Sequence, residues 1–154
     1  MTNPAQNDAI DFFEPGTDPS LAQLVEMINA VGEGATAGVT LTTSGAIVTG
    51  TIVSGRTYFE GLNSTLEAAG KDSNEWPGVT FAVFAQTYRD REGGTRNADS
   101  AREDQPGPSY IHLNNAAIIP NGMSRIDLGS WRGKLSSVDG WTLGLIQPKE
   151  TQRD

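Results

Sequence analysis

The chain has 154 residues, 36% of them apolar, with 18 glycines, 8 prolines and a net charge of −8. That length suits one domain. The Gly and Pro content points to many turns without reaching the level of a collagenous or low-complexity chain. The acidic balance opposes nucleic acid and anionic membranes unless a local basic patch intervenes. No cysteine is present, which excludes disulfides, thiolate metal sites and a cysteine nucleophile. No run of ~18 apolar residues offers a membrane-spanning helix. The first residues carry Asp8, Asp11, Glu14 and Asp18 without a base, unlike a signal or transit peptide, so a cytoplasmic location is expected.

Residues 1–18 are polar, acidic and interrupted by Pro4 and Pro15, and read as a mobile acidic tail with one apolar cluster at Ile10, Phe12 and Phe13. Asp18-Pro19 then opens a helix, because Asp caps the free N–H groups and Pro tolerates the first helical position. Leu21, Leu24, Val25, Ile28 and Val31 follow the spacing of one buried face, and Gly32 and Gly34 end it. Val39 and Leu41 alternate with Thr40 and Thr42 as in a strand. Ser44-Gly45 reads as a two-residue turn into a second strand, Ala46 to Ser54, in which Gly50 signals a bend or a close backbone approach. A short helix is expected over residues 58–70. Residues 78–88, apolar on both faces, predict a long central strand.

Residues 89–108 hold four arginines and five acids with no large apolar residue, and read as a disordered charged loop. Order resumes with a strand that places Tyr110, His112 and Asn114 on one face and Ile111, Leu113 and Asn115 on the other. Pro120-Asn121-Gly122 is a turn. Two further strands are expected to be joined as a hairpin at Asp139-Gly140. Trp131, Gly133 and Leu135 share a face of the first, and Trp141, Leu143 and Leu145 share a face of the second. Residues 147–154 read as a frayed tail.

These elements predict an α+β fold, mainly β: a small bent antiparallel sheet, or an open Sm-like or SH3-like barrel, with an N-terminal helix. A single domain over 19–146 carries the charged loop. Free sheet edges favour self-association.

Catalysis finds little support. One histidine, His112, rules out a pair of histidine ligands, and inside a strand it reads as a surface or hydrogen-bonding residue rather than a general base. Asp139 reads as a turn residue because Gly140 follows it. Phosphate-cradling glycine motifs and calcium-loop patterns are absent. No catalytic, cofactor or metal residue is assigned, and no cofactor is expected. The interaction candidates are the cations Arg89, Arg91, Arg96, Arg102 and Arg132 and the aromatics Trp131 and Trp141, although core packing is the simpler role for both tryptophans. Neighbouring aromatic and basic residues, among them Arg56, Tyr58 and Tyr88, leave a small-barrel RNA-binding module of Sm-like type as the alternative function.

Three strings carry a resemblance: VTLTTSGAIVTGTIVSGRTYFEGL from Val39 to Leu62, YIHLNNAAII from Tyr110 to Ile119, and WRGKLSSVDGWTLG from Trp131 to Gly144. Together they are similar to the gas vesicle accessory protein U family, with WRGKLSSVDG the most specific part. The resemblance implies a non-enzymatic accessory protein whose partners are the vesicle shell, other accessory proteins and further copies of itself. It implies no catalytic residues; the absence of a spanning apolar run argues against a membrane partner, and the acidic charge disfavours nucleic acid.

Overall fold

The computed structural model describes residues 13–70, 81–93 and 107–147. The expected acidic tail before residue 13, most of the charged loop (94–106) and the C-terminal tail from 148 lie outside the described residues. Helix α1 spans Pro19–Val31. The Asp18 carboxylate accepts from the backbone N–H of Ser20 at 2.8 Å and of Leu21 at 3.2 Å, as an N-cap should. Gly32, at φ 80°, closes the helix by donating to the Ile28 carbonyl. Leu21, Ala22, Val25 and Ile28 are buried. Val31, the last helical residue, differs from expectation: it is 68% exposed.

Strand β1 (Ala37–Thr43) pairs antiparallel with β2 (Ala46–Ile52). Ser44 and Gly45 between them have φ of 50° and 81°. Two successive positive φ angles are the signature of a type I′ turn, whose twist matches that of the strands. β2 pairs antiparallel with β3 (Tyr110–Ile119), and β3 with β4 (Ile126–Lys134). The β2–β3 register shifts between Thr49 and Thr51. A Cβ on Gly50 would lie 3.0 Å from Ala116 Cα and 3.2 Å from the Asn114 carbonyl. The expected close approach is therefore real, and the β3 backbone occupies the space. Asn115, beside it, sits at φ 50°, which places the irregularity on both strands.

The hairpin expected at Asp139-Gly140 does not form. After β4 a short 3₁₀ turn, Leu135–Ser137, carries the chain to β5 (Gly140–Leu143), which pairs with β1 rather than with β4. The strand order is β4-β3-β2-β1-β5, so consecutive strands occupy opposite edges. The β1–β2 turn supplies the reason. The Asp139 N–H donates to the Thr42 carbonyl at 2.8 Å, and the Asp139 carboxylate accepts from the Ser44 N–H at 3.1 Å. The Thr43 hydroxyl donates to the Ser137 carbonyl at 2.8 Å. Asp139 is thus a turn residue, but the turn it serves is Ser44-Gly45. The five-stranded antiparallel sheet remains open and does not close into a barrel.

One face of the sheet carries Val39, Leu41, Val48, Ile52, Ile111 and Leu113, packed against α1 with Leu135. The opposite face carries Thr40, Thr49 and His112. Part of it is crossed by residues 144–146, where the Thr40 hydroxyl donates to the Gly144 carbonyl at 2.9 Å and the Ile146 N–H donates to the Thr49 hydroxyl at 3.1 Å. The β3 end of the same face is covered by helices α2 (Gly55–Gly70) and α3 (Phe81–Arg89). Helix α3 corrects, from Phe81 onward, the strand expected over 78–88, whose residues 78–80 lie outside the described residues. Its β-rich composition also satisfies helical spacing, with Phe81, Phe84, Ala85 and Tyr88 on one side. The Phe59 ring stacks on Phe81, Phe84 and Tyr88 with centroids 5.9, 5.2 and 6.0 Å away. Packing of Ala85, Phe81 and Tyr88 against the neighbouring helix overrides strand propensity, although Phe84 stays exposed. Helix α2 is longer than expected, beginning at Gly55, where the Ser54 hydroxyl accepts from the Thr57 N–H.

Candidate functional site

The register of β3 and β4 builds the most distinctive group of side chains. His112 stands opposite Arg132, and Tyr110 opposite Lys134. All four share the face that α2 and α3 partly cover. His112 is fully buried, with the rings of Tyr58, Phe59 and Tyr88 at centroid distances of 4.8, 5.5 and 5.5 Å. The sequence reading of His112 as a hydrogen-bonding residue holds and the surface reading does not. Its Nε2 accepts from Arg132 Nε at 3.2 Å. The proton of the neutral ring therefore sits on Nδ1, which has no partner among the described residues. Burial, then the Arg132 charge, pushes the imidazole down to about 3, so it stays neutral near pH 7.

Arg132 is held on three sides. Its guanidinium carbon lies 3.5 Å from the Tyr110 ring centroid and 5.8 Å from that of Phe59, a cation–π geometry, and Nε is fixed by His112. The residue is nevertheless exposed. The Tyr88 phenol is raised first by burial, while the Arg132 and Arg91 charges and a hydrogen bond with Arg132 act the other way. Aromatics from α2, α3 and β3 thus converge on one edge-strand arginine. The alternation of Tyr110 and His112 was legible in the sequence. Their meeting with Phe59, Tyr88 and Arg132 was not, because no local signal joins positions so far apart.

The remaining candidates lie elsewhere. Trp131 is half-buried against the main core, on the opposite face of β4 from Arg132, and its indole occupies the space above Gly133. Trp141 is half-buried on β5, and its Nε1 donates to the Asp18 carboxylate at 3.3 Å. Arg89 ends α3 and pairs with Glu60 at 2.5 Å. Arg91 lies in the turn that follows, its N–H donating to the Tyr88 carbonyl. Arg96 and Arg102 lie outside the described residues. A second polar node, absent from the sequence reading, surrounds Arg56, which pairs with Glu60 and Glu92 at 2.9 Å and with Glu33 at 3.9 Å. With the bond from the Gly55 N–H to Asn29 Oδ1 at 2.9 Å, it locks α2 and the end of α3 to α1. The aromatic–basic neighbours do not assemble into one stacking platform: Tyr58 is buried, and Arg56 and Arg89 are neutralised by acids.

Among the described residues no group of three or more His, Cys, Asp or Glu side chains is placed to hold a metal, and no helix is long and apolar enough to cross a membrane. Neither the curated proteins nor the solved structures give a match to this chain. A family model described as gas vesicle protein GvpU-like matches residues 18–146. That span runs from the α1 cap to just beyond β5 and takes in the whole open sheet, both of its outer layers and the Arg132 cluster, and the chain belongs to the GvpU-like family of gas vesicle proteins.

Proposed function

We propose that this protein is a non-enzymatic accessory factor of gas vesicles in the cytoplasm, which self-associates and contacts the vesicle shell or other accessory proteins during assembly or clustering. Membership of the gas vesicle family over residues 18–146 carries this reading. The open sheet supports it. Among the described residues, β4 and β5 each have one neighbour only. Ile126 and Leu128 on β4 are 46% and 40% exposed, and Leu143 on β5 is 64% exposed. A free strand with exposed apolar side chains suits contact with another chain. Arg91, Arg96 and Arg102 supply attraction to acids on neighbouring copies, and weak contacts of this kind sum through effective concentration. Arg89 joins them only by sharing its bond with Glu60.

The test is buoyant centrifugation of purified vesicles with the purified protein, beside light scattering across a salt series. Co-flotation is expected, with assemblies that shrink as salt screens the contacts. A protein absent from the floating layer, and monomeric at every concentration and ionic strength, would defeat the reading.

A further inference from the structure

We propose that Arg132, steadied by Tyr110 and His112, is a recognition site for a carboxylate on an acidic peptide segment of a protein partner. Every other described arginine of the helices and strands has its charge answered: Arg56 by three glutamates, Arg89 by Glu60, Arg125 by Asp127 at 3.0 Å. Arg132 has no acid among the described residues. Its hydrogen bonds go to a neutral imidazole and to the Tyr88 phenol, which orient the guanidinium without cancelling its charge. In a chain of 19 acids and 11 bases, such an immobilised, unneutralised cation stands out.

The geometry selects the ligand. With the Nε–H on His112, an Nη–H on the Tyr88 phenol and the planar face against Tyr110, the remaining Nη–H donors of this exposed guanidinium are left for a carboxylate to accept. Because the aromatic rings already fix the side chain, a ligand does not have to immobilise it on binding. Lys134, exposed on the same face of β4 and without an acid among the described residues, adds a second positive charge for a neighbouring acid in the same segment. Arg91 adds a third near Tyr88. The patch is short and set in a molecule of net charge −8, which suits a few carboxylates and repels a long polyanion. The site rests on the reading that the protein works by contacting other proteins, and names the chemistry of one such contact.

The test is fluorescence anisotropy at low salt with a fluorescein-labelled peptide of alternating glutamate and serine, added to the full chain. Binding is expected to weaken about 10-fold in Arg132→Gln and several-fold in Arg132→Lys, which keeps the charge but loses the planar fork. Arg125→Gln, at a cation already paired, is expected to stay within about 2-fold of the parent. Thermal melts establish that each variant is folded, and Arg132→Lys stands in if Arg132→Gln is not. Equal binding by the parent and a folded Arg132 variant overturns the site. So does the absence of binding by the parent, or stronger competition by inorganic phosphate or an RNA oligomer than by free peptide. Co-flotation with vesicles is scored separately: a parent that floats but ignores the peptide refutes the site alone, and one that binds the peptide through Arg132 but neither floats nor self-associates refutes the functional reading alone.

Discussion

Lowering the pH from about 7.5 to about 5 should cost this fold roughly 2 kcal/mol through His112 alone. The imidazole titrates at about 3 in the folded chain against 6.5 for the free side chain. Between those values the unfolded chain binds a proton that the native chain refuses, so stability rises with pH, with a limiting slope of about 1.4 kcal/mol per pH unit. The contribution is fully present above the unfolded value and declines as the pH falls below it. The cause is geometric. The ring is fully buried among Tyr58, Phe59 and Tyr88, and its one side-chain hydrogen-bond partner among the described residues, Arg132, is itself a cation. Asp18 and Glu60, both lowered by hydrogen-bonded partners, Ser20 and Arg56 foremost, lose stability in the same direction only at more acidic pH. The window from about 6.5 to about 5 therefore isolates the histidine. Urea unfolding followed by tryptophan fluorescence, repeated across that window for the parent and His112→Gln, reads the effect as a difference in slope. The variant's constant cost drops out of that comparison. A parent whose stability is flat over the window, or a variant with the parent's slope, would refute the reasoning. So would an imidazole NMR signal titrating near 6.5 in the native state.

Gly50→Ala should destabilise by about 1–3 kcal/mol, because the new methyl meets β3 backbone that cannot step aside; urea midpoints measure it. Ser44→Asn should stabilise by roughly 0.5 kcal/mol or less, since asparagine tolerates the positive φ of a type I′ turn better and the backbone bond to Asp139 is kept. A lowered melting temperature would count against the turn assignment. Asp18→Ala should cost about 0.5–2 kcal/mol by uncapping α1. It also removes the acceptor of the Trp141 indole, so a change in tryptophan fluorescence should accompany the loss.

Much of the local structure could be read from the chain. The Asp18-Pro19 cap, the spacing of Leu21, Val25 and Ile28, the Ser44-Gly45 turn and the alternation of β3 are all short-range signals. Each depends on residues within a turn or a strand pair, and each appears in the structure. Gly50 was also informative, although Val48-x-Gly50 and Trp131-x-Gly133 look alike in sequence and differ in cause: the first gives way to a neighbouring strand, the second to its own tryptophan.

The two failures share one origin. The segment around Phe81–Tyr88 suits a strand by composition and a helix by spacing, and only the Phe59 ring across the interface decides between them. Asp139-Gly140 suits a hairpin locally, yet its hydrogen bonds go to residues 42 and 44, nearly a hundred positions earlier. The sequence by itself determined the mainly β composition, the capped first helix, the inward and outward faces of most strands and the family likeness, because periodicity and capping are local properties. Tertiary structure alone decided which edge receives β5, that α2 and α3 shield the β3 end of the sheet, and that Arg132 rests on Tyr110 beside a buried histidine, because those outcomes depend on which distant surfaces bury one another.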